Sequence, residues 1–216
     1  MSDIVGLAEI VLWTADKTQS VRFYRDLLGL PKDKRIILFG AVRGTTDPNK
    51  GFHLLKPALQ ALGKASSDML ALLFGDSGRD GIPDLGMPAV SLGSIHDEHK
   101  LATIYSSADV FVAPSLQESF CQTAAEALAC GTPVVAFGAT GLLDVVEHLG
   151  CGYLAQPYDI EDLARGIGWV LEDRDRYAEL SSRARLKIMT EFDIAEASKS
   201  YIRLYRELLQ KTASEA

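Results

Sequence analysis

Cysteine and histidine are scarce in this sequence of 216 residues. Its three cysteines, Cys121, Cys130 and Cys151, are an odd number and include no C-x-x-C pair. That spacing argues against a disulfide framework or a zinc site and favours reduced thiols. The four histidines are scattered and join no Ser-His-Asp set. The sequence therefore predicts neither a bound metal nor a nucleophilic triad.

Positive charge is also in short supply. Lys and Arg together number 22 against 29 Asp and Glu, which leaves a net charge of −7. Nucleic acids and anionic membrane surfaces are held by a cationic field, so the composition argues against both as general partners. The apolar run Ile4–Trp13 is too short to span a bilayer, is interrupted by Glu9 and follows no basic residue. We therefore expect a cytoplasmic protein.

The chain does contain a regular alternation of short apolar runs and helical patterns, with enough hydrophobic residues, 47%, for one substantial core. This alternation predicts an α/β fold with a doubly wound parallel sheet. The predicted strands are Ile36–Ala41, Met69–Phe74, Ala89–Leu92, Asp109–Ala113, Val134–Phe137 and Gly152–Leu154. The predicted helices between them are Gly51–Leu62, Glu98–Ser106, Phe120–Ala129 and Leu142–Glu147, after an earlier one at Thr18–Leu28.

We divide the chain into an N-terminal extension and helix of uncertain role over 1–30, a sheet-containing domain over 31–192, and a C-terminal helix over 193–216. The last helix carries a long apolar stripe. Its members are Ile194, Ala197, Tyr201, Leu204, Tyr205 and Leu208. The stripe is either a core face or an exposed patch, and an exposed patch would promote self-association.

The stretch Ala108–Phe137 carries the chemistry, because it reads as strand, loop, helix and second strand with two acids, Glu118 and Glu126, at the loop-to-helix junction. The backbone amides at 119–121, those of Ser119, Phe120 and Cys121, are predicted to open the helix and to accept an anion. Carboxylates accept hydrogen bonds from vicinal hydroxyls, so the pattern suits a phosphate flanked by polyols. The alternative is that Glu118 caps the helix and Glu126 is solvated on its outer face.

A second constellation follows the first strand, where Gly40, Arg43 and Gly44 precede Lys50 and Gly51 at a helix start. Fixed cations and amides together neutralise a diphosphate, so this loop suits such a group. It lacks the Gly-Lys-Ser/Thr ending of a Walker loop. The alternative interpretation is a solvated surface pair.

The segment ESFCQTAAEALACGTPVVAF resembles the signature of the retaining glycosyltransferases of family four (group 1), which have the GT-B fold. The resemblance extends from about Leu28 to Tyr205 and matches the C-terminal, donor-binding half of such an enzyme. It implies that Glu118 touches the transferred sugar and that Glu126 holds the ribose. It also implies that Arg43 and Lys50 contact the diphosphate.

By the same resemblance, Gly93, Ser94 and Ile95 would meet the nucleotide base through backbone atoms, although an ordinary turn explains them equally well. The ligand would be a nucleoside-diphosphate sugar of UDP or GDP type, bound without a metal or another cofactor. A hexose would pass to a glycan or lipid-linked acceptor, which the N-terminal domain of such enzymes recognises. This chain has no room for that domain, so we expect binding without efficient transfer.

The resemblance also implies that the complete enzyme would be peripheral at the inner membrane. Two alternatives stay open. One is a non-catalytic nucleotide-binding or interaction module that acts through its last helix. The other is a nucleotide-sugar epimerase or a phosphorylase on the same fold.

Overall fold

The computed structural model describes residues 24–75 and 81–214. Residues 24–28 are helical, which agrees with the end of the predicted helix Thr18–Leu28, and the run Ile4–Trp13 lies outside the described residues. Within the described part, six strands form one parallel sheet. They are β1 (Arg35–Gly40), β2 (Met69–Phe74), β3 (Ala89–Ser91), β4 (Val110–Ala113), β5 (Val134–Phe137) and β6 (Gly152–Ala155). Each begins and ends within one residue of its predicted bounds.

The strands lie in the order β3-β2-β1-β4-β5-β6, and every neighbouring pair is parallel. The chain therefore builds one half of the sheet outward from β1 and the other half outward from β4. This is the order of a doubly wound α/β fold, so the predicted fold class is confirmed. The helices are α1 (Phe52–Ala65), α2 (Glu98–Ser107), α3 (Gln122–Ala129), α4 (Leu142–Val145), α5 (Ile160–Glu172), α6 (Arg174–Glu191) and α7 (Ile194–Ser214).

Both faces of the sheet are covered, as the apolar character of the strands requires. Along β1, Ile36 and Leu38 point into a core shared with α2, α3 and α6, while Ile37 and Phe39 point into a core shared with α1 and α5. Aspartates that accept backbone amide hydrogen bonds begin three of these helices. They are Asp97 before α2, Asp159 before α5 and Asp173 before α6.

A buried ion pair joins the amino ends of the two central strands. Arg25, which is 6% exposed, donates to the Asp109 carboxylate at 2.5 Å and to the carbonyl oxygens of Ser107 and Lys34. The same Asp109 oxygen accepts the amide of Ile36 at 2.5 Å. The helical residues 24–28 are therefore tied to the starts of β1 and β4, and removing either partner would leave a buried charge uncompensated.

The turn from α3 to β5 explains the Gly-Thr-Pro part of the signature segment. Gly131 adopts a left-handed conformation with φ +69°, which ends α3. Thr132 is fully buried, its amide donates to the Ala127 carbonyl at 2.9 Å, and its hydroxyl donates to the Tyr105 carbonyl at 2.7 Å. Thr132 therefore joins α2 to α3 just before β5.

The apolar stripe of α7 is exposed, which decides between the two sequence interpretations of this helix. Tyr201 is 62% exposed, and Leu204, Tyr205 and Leu208 are similarly open to solvent. Self-association through this face stays a prediction. Along the described residues, no helix is long and apolar enough to cross a membrane.

Replacing Thr132 with valine should lower the free energy of unfolding by about 0.5 to 1.5 kcal/mol, because the Tyr105 carbonyl would lose the Thr132 hydroxyl and keep only the Ala108 amide as a donor. Urea denaturation measures this change. Thr190→Val on the exposed face of α6 is the matched control and should change stability much less. Equal effects of the two substitutions would show that the Thr132 hydrogen bond contributes little.

Candidate donor-binding site

The two loops with predicted ligand-binding residues leave neighbouring strands. β1 and β4 pair directly, with Ile37 opposite Val110, and the loops after them begin at the same edge of the sheet. There Lys50 Nζ lies 2.8 Å from Glu118 Oε1. The side chains of Lys50 and Glu118 are 27% and 15% exposed, so the pair is partly shielded from water. The structure thus joins two residues that are 68 positions apart in the sequence.

Lys50 is held in place by a tight approach of two backbones. It ends a short 3-10 turn, and the next residue, Gly51, has φ +69°. A Cβ atom on Gly51 would lie 1.8 Å from the carbonyl oxygen of Pro114, so only glycine fits at this crossing. Beside it, the Leu116 amide donates to the Asn49 carbonyl at 2.8 Å. The Lys50 turn and the Glu118 loop therefore form one rigid unit.

The Glu118 loop is also fixed from its other side. The Glu118 amide donates to Thr140 Oγ1 at 3.0 Å, and the Gly141 amide donates to the Glu118 carbonyl at 2.9 Å. The Tyr158 hydroxyl donates to the Leu116 carbonyl at 3.3 Å. These contacts use the backbone of Glu118 and leave its carboxylate for Lys50 and for a ligand.

The predicted helix opening is wrong by two residues. α3 begins at Gln122, because Cys121 adopts a left-handed conformation with φ 68° and reverses the chain just before the helix. The amides of Ser119 and Phe120 therefore lie in the loop and not in the first helical turn. The partly buried Phe120 ring packs edge-on against Phe192 at 5.2 Å.

Cys121 lies between the Glu118 loop and α3 with its thiol 3.6 Å from the Thr123 hydroxyl. Burial raises the pKa of this thiol, so it is a neutral group at physiological pH. Cys121, Cys130 and Cys151 are all buried free thiols. Among residues 24–75 and 81–214, no three His, Cys, Asp or Glu side chains are placed to hold a metal ion. A metal-free site stays a prediction.

Glu126 is buried, with 5% of its surface exposed. The alternative interpretation, a glutamate solvated on the outer face of the helix, is therefore wrong. The Tyr105 hydroxyl donates to Glu126 Oε2 at 2.9 Å. Burial raises the pKa of Glu126, and the hydrogen bonds from Tyr105 and from the Gln122 side chain oppose that rise. A buried carboxylate held in this way suits recognition of hydroxyl donors.

The remaining predicted site residues follow β1 and β3. Arg43 is exposed in a left-handed conformation with φ 56°, and its guanidinium forms no ion pair with a described carboxylate. The Gly93 carbonyl accepts the Gly75 amide at 2.8 Å, Ser94 is exposed, and Ile95 packs against the core. Binding roles for these four residues at the end of β1 and β3 stay predictions.

The side-chain contacts of two residues in this region were not predicted from the sequence. Tyr105 occupies an apolar position of a helical pattern and is typical of a core residue there, so only its partner Glu126 indicates a polar task. Thr140 lies in a glycine-containing loop whose direction the sequence does not specify. In both cases the informative contact is made with a distant segment of the chain.

Comparison with known proteins adds to this geometry. A sequence profile of the glycosyl transferases group 1 family matches residues 20–187, which is more than half of the chain. The chain belongs to this family. A D-inositol 3-phosphate glycosyltransferase of Xylanimonas cellulosilytica is 38% identical over 170 residues, which cover 74% of this chain and 40% of that protein.

Solved structures of glycosyltransferases have the same fold. A sucrose-phosphate synthase from Thermosynechococcus elongatus superposes with a TM-score of 0.75 at 30% identity, over 88% of this chain and 49% of that one. The Anabaena protein HepE, in complex with UDP and glucose, superposes with a TM-score of 0.73 at 22% identity, over 92% of this chain and 54% of that one. The chain thus spans about half the length of its relatives, and its Rossmann-like domain is of the GT-B type.

Replacing Gly51 with alanine should lower the free energy of unfolding by about 2 to 5 kcal/mol. The left-handed conformation costs alanine about 1 to 2 kcal/mol, and overpacking against the Pro114 carbonyl costs about 1 to 3 kcal/mol. Gly168→Ala inside α5 is the control, because a Cβ atom there meets only Glu172 Oε1 at 3.9 Å. That substitution should stabilise the protein by about 0.5 to 1 kcal/mol. Denaturant unfolding of both variants tests the difference, and a neutral Gly51→Ala would contradict the tight crossing.

Proposed function

We propose that this chain is the nucleotide-sugar-binding domain of a retaining glycosyltransferase that transfers a hexose from a nucleoside-diphosphate sugar to a glycan or lipid-linked acceptor. The observation that carries the proposal is the contact between Lys50 and Glu118 at the switch point between β1 and β4. Ligands of doubly wound sheets bind at this point, outside the carboxyl ends of the strands. Membership of the group 1 glycosyl transferases supports the same assignment.

In the proposed complex, Lys50 contacts the diphosphate of the donor. The ammonium group now donates to Glu118, so a diphosphate must compete with that carboxylate for it. Glu118 would then turn to the hydroxyls of the transferred sugar. Arg43 would add a second cation from the same loop, and the loop amides from Ser119 to Cys121 would add neutral donors.

The other end of the donor is assigned to Glu126 and to the end of β3. Glu126 would accept hydrogen bonds from the ribose hydroxyls, which its burial beside Tyr105 supports. The base would lie against the backbone of Gly93, Ser94 and Ile95. The HepE complex with UDP supports UDP as the first nucleotide to test, with GDP as the second.

The protein assists the reaction mainly by positioning and electrostatics. The acceptor hydroxyl attacks the anomeric carbon on the face from which the diphosphate departs. The bond from that carbon to the diphosphate oxygen breaks while the new glycosidic bond forms, and the leaving phosphate oxygen takes the hydroxyl proton. Lys50 and Arg43 stabilise the negative charge that develops on the diphosphate, without a metal in this proposal.

Removing charge from each partner of the Lys50–Glu118 pair should have opposite effects on UDP binding. Lys50→Ala should weaken UDP by about 1.5 to 3 kcal/mol, because a hydrogen bond to a charged group is lost. Glu118→Gln should strengthen UDP by up to about 1 kcal/mol, since the competing ion pair is removed. The same Glu118→Gln change should reduce the extra affinity of UDP-glucose over UDP. Titration calorimetry measures all three quantities.

Lys64→Ala, at the end of α1, is the matched control for lost positive charge and should leave UDP affinity unchanged. Uridine is the control ligand, because it carries no phosphate for Lys50 to contact. If Lys50→Ala weakened uridine and UDP equally, Lys50 would act structurally. If Glu118→Gln left both UDP and UDP-glucose affinities as in the parent, the proposed exchange would be wrong.

The isolated chain is expected to bind the donor without efficient transfer, because acceptor recognition is assigned to a domain outside these 216 residues. Product analysis with UDP-glucose and lipid-linked or glycan acceptors tests this. Turnover should be far below the roughly 1 to 1,000 per second of typical enzymes. Rates within that range would contradict the expectation, and a folded chain that binds no nucleoside diphosphate would favour a non-catalytic interaction module.

A further inference from the structure

Tyr105 lies behind Glu126 and is buried without any exposed surface. Its hydroxyl donates to Glu126 Oε2 at 2.9 Å across the interface between α2 and α3. We propose that Tyr105 is a positioning residue for nucleotide recognition, which holds the Glu126 carboxylate ionised and oriented toward a ribose. This inference rests on the proposed function, because it assigns Glu126 to the ribose.

Burying the Tyr105–Glu126 pair costs free energy of folding, and recognition of a ligand would explain why the pair is present. A carboxylate that leaves water must be compensated, and no described Lys or Arg forms an ion pair with Glu126. Two apolar side chains of similar volume would fill the same space at lower cost. The tyrosine occupies one carboxylate oxygen only in part, since an ionised carboxylate has about four acceptor sites. Glu126 therefore keeps capacity for hydroxyl donors of a ligand.

The direction of the hydrogen bond is fixed by acidity. Burial raises the pKa of the Tyr105 hydroxyl well above its usual value, so Tyr105 stays protonated and must be the donor. The ionisable groups that act on this pair are Glu98, which raises the pKa of Glu126, and the thiols of Cys121 and Cys130 near Tyr105. Gln122 is the other side chain that hydrogen-bonds Glu126.

The tyrosine ring cannot move aside, because aromatic neighbours hold it on two sides. Phe74, at the end of β2, meets it edge-on at 5.6 Å, and Phe111 of β4 meets it at the same distance. Phe74 in turn lies so close to Gly40 that a Cβ atom there would be 2.1 Å from its ring. A packed series of side chains thus joins the end of β1, which leads to the Lys50 loop, to the carboxylate of Glu126.

The test compares Tyr105→Phe with the parent chain by calorimetry, using UDP and 2′-deoxy-UDP, with GDP and 2′-deoxy-GDP in parallel. Tyr105→Phe should weaken the ribonucleotide by about fivefold to thirtyfold, the scale of one lost hydrogen bond. The deoxynucleotide, which lacks a hydroxyl for Glu126, should lose much less. Tyr153→Phe is the matched control, because the Tyr153 hydroxyl donates to Asp162 at 2.8 Å away from the Glu126 carboxylate.

A pH series supplies a readout that a merely structural role would not change. Affinity for UDP should fall as the pH is lowered through the pKa of Glu126, because a protonated carboxyl accepts fewer hydroxyl donors. Without the Tyr105 donor that pKa rises further, so the fall should occur at higher pH in Tyr105→Phe. Substituting 3-fluorotyrosine at position 105 gives a stronger donor with the ring retained, and it should move the fall to lower pH.

Two results would overturn the inference. One is a folded Tyr105→Phe variant with parental UDP affinity and an unchanged pH profile. The other is an equal loss for UDP and 2′-deoxy-UDP, which would indicate a general structural effect. If Tyr105→Phe does not fold, an unchanged pH profile of the fluorotyrosine protein overturns it. A folded parent chain that binds neither UDP nor GDP would instead refute the proposed function, and this inference with it.

Discussion

The direct pairing of β1 with β4 is the constraint on which the candidate site depends. Because the chain first builds outward from β1 to β3 and then returns to start β4, the crossovers after these two strands cover opposite faces of the sheet. Ligands of doubly wound folds bind outside the carboxyl ends of such strands. At that edge the Lys50 turn and the Glu118 loop meet, with Lys50 Nζ 2.8 Å from Glu118 Oε1. The Arg25–Asp109 pair holds the amino ends of the same two strands together, at the edge of the sheet opposite the candidate site.

At the candidate site this acidic protein places a lysine, Lys50, beside the Glu118 carboxylate. The net charge of −7 opposes long-range attraction of anions, so the proposed affinity for a diphosphate has to come from short contacts. Lys50 can supply such contacts because the close approach of Gly51 to Pro114 fixes the Lys50 backbone beside the Glu118 loop. Its pairing with Glu118 also reduces the cost of keeping a partly buried ammonium group without a ligand.

Most of the signature segment serves packing and not recognition. In α3, the small residues Ala124, Ala125, Ala127 and Ala129 are fully buried and allow the helix to lie close to the sheet and to α6. Gly131 and Thr132 then direct the chain into β5. The segment is therefore recognisable because its packing leaves few alternatives, and its two acids are the side chains that we propose contact a ligand.

The sequence by itself determined the fold class and the strands to within a residue, and it selected Lys50 and Glu118 as candidate site residues, whose ligand contacts stay a prediction. These features follow from local periodicity, from breakers such as Pro114 and Gly131, and from rare charged residues in an apolar region. Local patterns could not reveal the left-handed turn at Cys121, which moved the start of α3, because the conformation is imposed by the neighbouring loops.

Only the tertiary structure decided three further features, all of which depend on contacts between distant segments. It buried Glu126 against Tyr105, it paired Lys50 with Glu118, and it left the apolar stripe of α7 exposed. A sequence pattern specifies which face of a helix is apolar, but the packing partner decides whether that face is covered. The same holds for charge, because the cost of a carboxylate depends on the side chains that surround it after folding.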